Sequence, residues 1–258
     1  MTEHCERWTA ARWVFRTFLL CLLLVSSPAV RGQETPADWT IDTFRWNGPL
    51  APSTLIEVVN PYGDVRLRES DPGEVVLSAM IQRRTKDPVK PEVKVERHRD
   101  RLRIEAVYPV APRGDLHRVD IAVLVPEGAR VVARTRNGMI EARGLANDLD
   151  FESAGGDVKF STTGTARVSA VKGNITADLR GRRWDRAPRL VTREGNITLR
   201  LPADADARVR IRAPGKILVS RPAQNERRTF WRTIVTFGHG SRSLSLTTKR
   251  GDVTLVAP

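Results

Sequence analysis

Apolar and polar residues alternate over most of this chain, in short runs separated by glycine-bearing turns. In Ile197-Thr198-Leu199-Arg200-Leu201, the residues Ile197, Leu199 and Leu201 point to one side while Thr198 and Arg200 point to the other. Val253, Leu255 and Ala257 alternate with Thr254 and Val256 in the same way, Val256 fitting imperfectly. Period-two alternation describes a half-buried strand. It predicts strands at Thr54–Val59, Val65–Arg68, Glu74–Gln82, Glu92–Arg97, Leu102–Val107 and Arg118–Val125, then shorter ones from about Arg130 to Pro258. Beyond residue 32 no stretch of ten residues carries a helical period, so the chain reads as all-β.

The turns themselves repeat. A glycine, usually followed by Asp or Asn and then by a β-branched residue, recurs at Gly63-Asp64-Val65, Gly138-Met139-Ile140, Gly156-Asp157-Val158, Gly173-Asn174-Ile175, Gly195-Asn196-Ile197, Gly215-Lys216-Ile217 and Gly251-Asp252-Val253. From Gly138 onward the glycines are 18, 17, 22, 20 and 36 residues apart. Glycine turns the chain at positive φ, and Asn or Asp beside it can hydrogen-bond the local backbone. One such strand cannot bury its apolar edge alone, so copies must stack about 4.8 Å apart. The stack places Ile140, Val158, Ile175, Ile197, Ile217 and Val253 inward and in register. A longer unit also recurs: Val125-Pro126-Glu127-Gly128-Ala129 and Leu201-Pro202-Ala203-Asp204-Ala205 each lead into an alternating strand. The expected fold is an antiparallel sheet or sandwich (residues 54–128) leading into a β-solenoid-like stack of short strands (residues 129–258). Residues 33–53 form an extended lead-in with Trp39, Phe44 and Trp46 as packing anchors.

The first 32 residues change the setting. Arg7, Arg12 and Arg16 precede the apolar run Phe18–Val25, and small residues surround Val30 to Gly32, the pattern of a cleavable secretory signal. Eight apolar residues are too few to span a bilayer core of about 30 Å. Both cysteines, Cys5 and Cys21, lie in this segment, so the mature chain has no thiol for a disulfide or a Cys-ligated metal. The full chain carries a net charge of +13; the leader holds four arginines and two glutamates, so its removal leaves +11. At a cell envelope that balance favours anionic glycan or lipid headgroups, and export argues against nucleic acid as a partner.

Two insertions lengthen the repeat intervals. Residues 180–189 contain Arg182, Arg183 and Trp184, and residues 221–232 contain Arg227, Arg228 and Trp231. Arginine pairs with carboxylate and phosphate, and tryptophan stacks on sugar rings and cations, so these six residues are the candidate polyanion-binding set. They are expected to matter more for polyanion binding than the strand arginines Arg200, Arg208, Arg210 and Arg212, which are expected on several faces. The alternative is that Trp184 and Trp231 fold back over the stack.

No catalytic set emerges. Glycosidase chemistry needs carboxylates converging on one groove, whereas Asp64, Asp157 and Asp252 come one per turn as part of the repeat. Gly238-His239-Gly240-Ser241 lacks the frame of a nucleophile elbow, and no cofactor fingerprint or metal-ligand spacing is present. The repeated Gly-Asp/Asn-Val/Ile turn, the Val-Pro-Glu-Gly-Ala lead-in and the leader together resemble the bacterial putative-adhesin family over residues 54–258. That resemblance implies a non-enzymatic β-solenoid protein, secreted or envelope-associated, with no catalytic residues to carry over. The long Arg-Trp insertions depart from the family's regular short turns. Three functions are in play: a structural or adhesive binding module, a carrier or sensor of anionic envelope lipid or polysaccharide, and a carbohydrate-active β-helix enzyme.

Overall fold

The computed structural model describes residues 39–51, 53–85, 90–108, 116–181, 184–220, 225–229 and 232–256; residues 1–32, expected to form a cleavable leader, lie outside them. Every regular element among the described residues is a strand. In chain order these are β1 (Trp39–Pro49), β2 (Leu55–Tyr62), β3 (Val65–Glu69), β4 (Glu74–Arg84), β5 (Glu92–Arg97), β6 (Arg101–Val107) and β7 (His117–Val125). The repeats follow as β8 (Arg130–Asn137), β9 (Ile140–Leu145), β10 (Asp148–Gly155), β11 (Val158–Thr162), β12 (Ala166–Lys172), β13 (Ile175–Leu179), β14 (Arg189–Glu194) and β15 (Ile197–Arg200). The last six are β16 (Ala207–Arg212), β17 (Ile217–Val219), β18 (Asn225–Thr229), β19 (Arg232–Phe237), β20 (Arg242–Arg250) and β21 (Val253–Val256).

Each repeat is one rung: a strand in one sheet, a corner at the repeat glycine, and a strand in the other sheet. The ten-stranded sheet runs β1-β4-β7-β3-β9-β11-β13-β15-β21-β17, and the eleven-stranded sheet runs β18-β19-β16-β20-β14-β12-β10-β8-β2-β6-β5. Rung on rung the pairing is parallel, as a solenoid requires. Antiparallel pairs close the ends, at β1 with β4, β4 with β7, β5 with β6, β16 with β19 and β18 with β19. The antiparallel part expected in the N-terminal region is therefore present, while β2 and β3 of that region enter the parallel stack. The lead-in differs from its description as merely extended: Trp39 to Pro49 is a full strand on β4, with Phe44 and Trp46 packed against the core.

The inward ladder runs Val65, Ile140, Val158, Ile175, Ile197, Val253, Ile217, each opposite the next. The first six are fully buried; Ile217, on the end rung, is half-buried. The order departs from the chain in two places. The rung β2–β3 sits between β6–β7 and β8–β9, and the rung β20–β21 sits between β14–β15 and β16–β17.

Stacking explains the repeat glycine. At Gly195 φ is +145°, and a Cβ there would stand 2.1 Å from the carbonyl oxygen of Gly173 one rung away. The Asp or Asn that follows acts across rungs rather than on its own turn. Asp157 Oδ1 accepts the N–H of Asn174 at 2.8 Å, Asn174 Oδ1 that of Asn196, Asn196 Oδ1 that of Asp252, and Asp252 Oδ1 that of Lys216. A second run joins Asp120 to Asp64 and Asp64 to Met139. The turn acids Asp64, Asp157 and Asp252 are thus acceptors in a structural ladder. Both Pro-containing lead-ins carry the chain from the ten-stranded to the eleven-stranded sheet, and Asn147 braces the first by donating to the carbonyls of Pro126 and Ala129.

Large and small side chains interlock inside. Phe151 on β10 meets Phe160 on β11 edge to face, with centroids 6.1 Å apart at 88°. Their neighbours in the adjacent rungs include Ala133, Ala142 and Ala177. Two aromatic rings therefore fill one layer, and alanines make room for them above and below.

Candidate functional site

With the interior filled, the working surfaces are the outer faces of the sheets. On β16, Ala207, Val209 and Ile211 are buried while Arg208, Arg210 and Arg212 are exposed, as the alternation dictates. Cross-strand register then fixes what stands beside them. Arg210 lies opposite Ser245, Ser245 opposite Arg189, and Arg189 opposite Arg167. On the other flank Arg210 lies opposite Ile234, and Ile234 opposite Arg227. Arg193, Lys249 and Arg232 are exposed on β14, β20 and β19 of the same sheet. Arg208, Arg210 and Arg227 together line a shallow hollow of about 250 Å³ with Ile234 and Thr236.

The other half of this face is organised differently. Asp148, Asp150 and Glu152 line the outer side of β10, and Glu57 stands on β2. Glu57 is buried and held by three cations: Arg103 at 2.9 Å, Arg101 at 3.6 Å, and Arg134 in a close contact. Burial works against its charge, but hydrogen bonds and Coulomb attraction from Arg103 and Arg134 outweigh it and hold the carboxyl below its ordinary pKa. Stability from such a group is present above the unfolded-state value and is lost as pH falls through the lower folded-state value. Glu57→Gln should therefore cost about 1–3 kcal/mol at neutral pH. The gap from wild type should narrow in urea titrations repeated below about pH 4. A gap that stays constant with pH would mean the loss is steric.

The six sequence-predicted residues are scattered. Arg182, Arg183 and Trp231 lie outside the described residues. Trp184 is half-buried and packs against the core, beside a hollow of about 170 Å³ shared with Gly181, Pro202, Asp204, Ala205, Asp206 and Arg242. Arg227 and Arg228 sit on the strand β18 rather than in a loop. Trp184 and Arg227 line different hollows; Arg227 joins the strand arginines instead. Arg208, Arg210 and Arg212, expected on several faces, share one; only Arg200, on β15 of the other sheet, stands apart. Sequence reasoning passed over Arg167, Arg189 and Arg193, because only cross-strand register brings residues of different repeats together.

Among the described residues no group of His, Cys, Asp or Glu is arranged to hold a metal ion, and no helix is long and apolar enough to cross a membrane. Asp206 accepts the hydroxyl and the N–H of Ser241, which hold its carboxyl below the ordinary value; this fixes the turn between Gly240 and β20.

No protein-family model and no curated protein matches this chain. Among solved structures it is similar to a putative cell adhesion protein from Clostridium sporogenes, at 12% identity over 84% of this chain and 100% of that one, with a TM-score of 0.46. It is also similar to putative adhesins from Bacteroides fragilis (11% identity, 83% and 97% covered, TM-score 0.29) and Parabacteroides distasonis (12%, 83% and 97%, 0.31).

Proposed function

We propose that this chain is an exported, non-enzymatic structural or adhesive binding module of the cell envelope. The observation that carries this reading is the filled solenoid. Side-chain ladders from both sheets close the interior, so the surfaces on offer are broad sheet faces rather than a trough for an acyl chain. The carboxylates of Asp64 and Asp157 and the carboxamide of Asn196 are engaged with backbone N–H groups of neighbouring rungs, which is a scaffolding role. The charge of the mature chain and the basic leader support placement at the envelope.

Two measurements test this. Produced with its own leader in a bacterial host, the exported protein should begin near Gln33; exported material that still carries residues 1–32 would overturn cleavage. Incubated with acidic and neutral polysaccharides, the mature chain should release no reducing ends. Steady release of reducing sugar would make it an enzyme and end the binding-module reading.

A further inference from the structure

We infer that the outer face of the eleven-stranded sheet, from β12 to β18, is a binding surface for a linear acidic polysaccharide. The inference rests on the binding-module reading and adds the surface and the chemical class of the ligand.

The argument begins with a charge distribution that folding alone does not call for. Nine cations stand exposed at outward positions of these six strands: Arg167, Arg189, Arg193, Arg208, Arg210, Arg212, Arg227, Arg232 and Lys249. None of them forms an ion pair with an acidic side chain among the described residues. At the outward positions of the same strands there is no Asp or Glu: Glu226 lies opposite the inward Val235, and Glu194 at the rung corner is paired with Arg250. Arg167 and Arg189 are direct cross-strand partners, a like-charge pairing that costs stability and is offset only on the far flank, where Asp150 lies opposite Arg167. Three strands beyond β12 the same sheet shows the compensated solution, with Glu57, Glu105 and Glu152 paired among Arg101, Arg103 and Arg134. One half of the face is internally compensated. The other is left for an anion from outside.

Its dimensions suit an extended chain. Six strands at about 4.8 Å spacing give a row about 24 Å long, from Arg167 through Arg189 and Arg210 to Arg227. Flanking rows contribute Arg208 on one side and Arg193, Arg212 and Lys249 on the other. Guanidinium groups grip carboxylate or sulfate in two-point contacts. Between them, Ser169, Ser243, Ser245, Thr236 and Thr247 offer hydroxyls to the hydroxyls of sugar rings. The outward positions of these strands hold no aromatic residue on which nucleobases could stack. Val171, Val191 and Ile234 are too small to anchor in a bilayer. At the β10 end, Asp148 and Asp150 line a second hollow of about 230 Å³ with Arg130, Arg167 and Arg186, and their charge ends the anion's path there.

The test uses the mature chain and polygalacturonate, with neutral dextran as control, at low ionic strength. Wild type should bind polygalacturonate and not dextran, with affinity falling steeply as salt rises. The triple variant Arg189→Ser, Arg210→Ser, Arg227→Ser should lose roughly tenfold or more in affinity. Its melting temperature should stay level or rise, because exposed like charges have been removed. Lys159→Ser, Arg200→Ser, Lys216→Ser lowers the net charge equally on the opposite side and should lose about threefold or less. The pair Arg182→Ser, Arg183→Ser should behave like this control. Equal losses in the two triple variants would overturn the surface while leaving the binding module standing. No binding by wild type, or stronger binding to single-stranded DNA or anionic vesicles, would overturn the ligand class.

Discussion

Gly173→Ala should unfold the stack under conditions in which Gly128→Ala leaves it folded. Both glycines have positive φ, +145° and +82°, but their surroundings are opposite. A Cβ on Gly128 meets nothing within 4 Å, so alanine there costs only its left-handed backbone, about 1–2 kcal/mol. A Cβ on Gly173 would stand 2.2 Å from the carbonyl oxygen of Gly156 and 3.2 Å from the nitrogen of Asp157, both backbone atoms of the adjoining rung. To relieve the clash the rungs must part, which weakens the bond from the Gly156 N–H to the Lys172 carbonyl and the Asn174 contact to Asp157. Backbone strain and overpacking together come to about 2–6 kcal/mol. Urea midpoints of the two variants measure this directly. Similar shifts would show that backbone conformation alone, and not the close approach of rungs, selects glycine at the corner.

Phe151→Ala should be comparably damaging, at about 3–5 kcal/mol. Phe151 is fully buried, and of its cross-strand neighbours Ala133 has no reach and Val168 is a short β-branched side chain, while Ala142 and Ala177 flank its partner Phe160. Parallel rungs resist sliding together to collapse the cavity, since the β10–β11 corner is tied by backbone bonds to the β8–β9 rung and by Asp157 to Asn174 of the next. Phe151→Leu keeps most of the volume and should cost less than half as much. The comparison is read from denaturant unfolding free energies; a loss below about 2 kcal/mol for the alanine would mean that the layer does relax.

Much of this architecture is legible in the sequence because the governing interactions are local and repeated. Alternation marks the strands, and Gly-Asx marks the corners; β5 was bounded correctly at Glu92–Arg97 from alternation alone. What escapes is whatever depends on distant pairing. All corners share one chemistry, so nothing in Gly215-Lys216-Ile217 states that it stacks on Gly251 and not on Gly195. One trace does survive: position 216 is a lysine. Its N–H takes Asp252 Oδ1, but no further rung needs an acceptor from it, so the terminal corner is freed from Asx. Strand β1 was missed because its inward residues Thr40, Asp42, Phe44 and Trp46 mix polar with apolar on an edge that is only half-covered. The basic face escaped for a related reason. Its nine cations come from six strands spread over residues 167–249, and only the swapped rung order sets Arg210 between Ser245 and Ile234.

That swapped order also governs how the chain can assemble. A solenoid whose rungs stack in chain order can zip from one end as it emerges, each rung docking on the last. Here β16 and β17 cannot join the stack until β20 and β21 arrive, because β20–β21 is the layer between them and β14–β15. At the other end β2 and β3 wait for β8 and β9 on one side and for β6 and β7 on the other. Both ends of the stack are thus locked by late, long-range closures, which raise the entropic barrier to folding. The interleaving acts as a timer: the scaffold is complete only once β20 and β21 have been made and have taken their place beside β14 and β15.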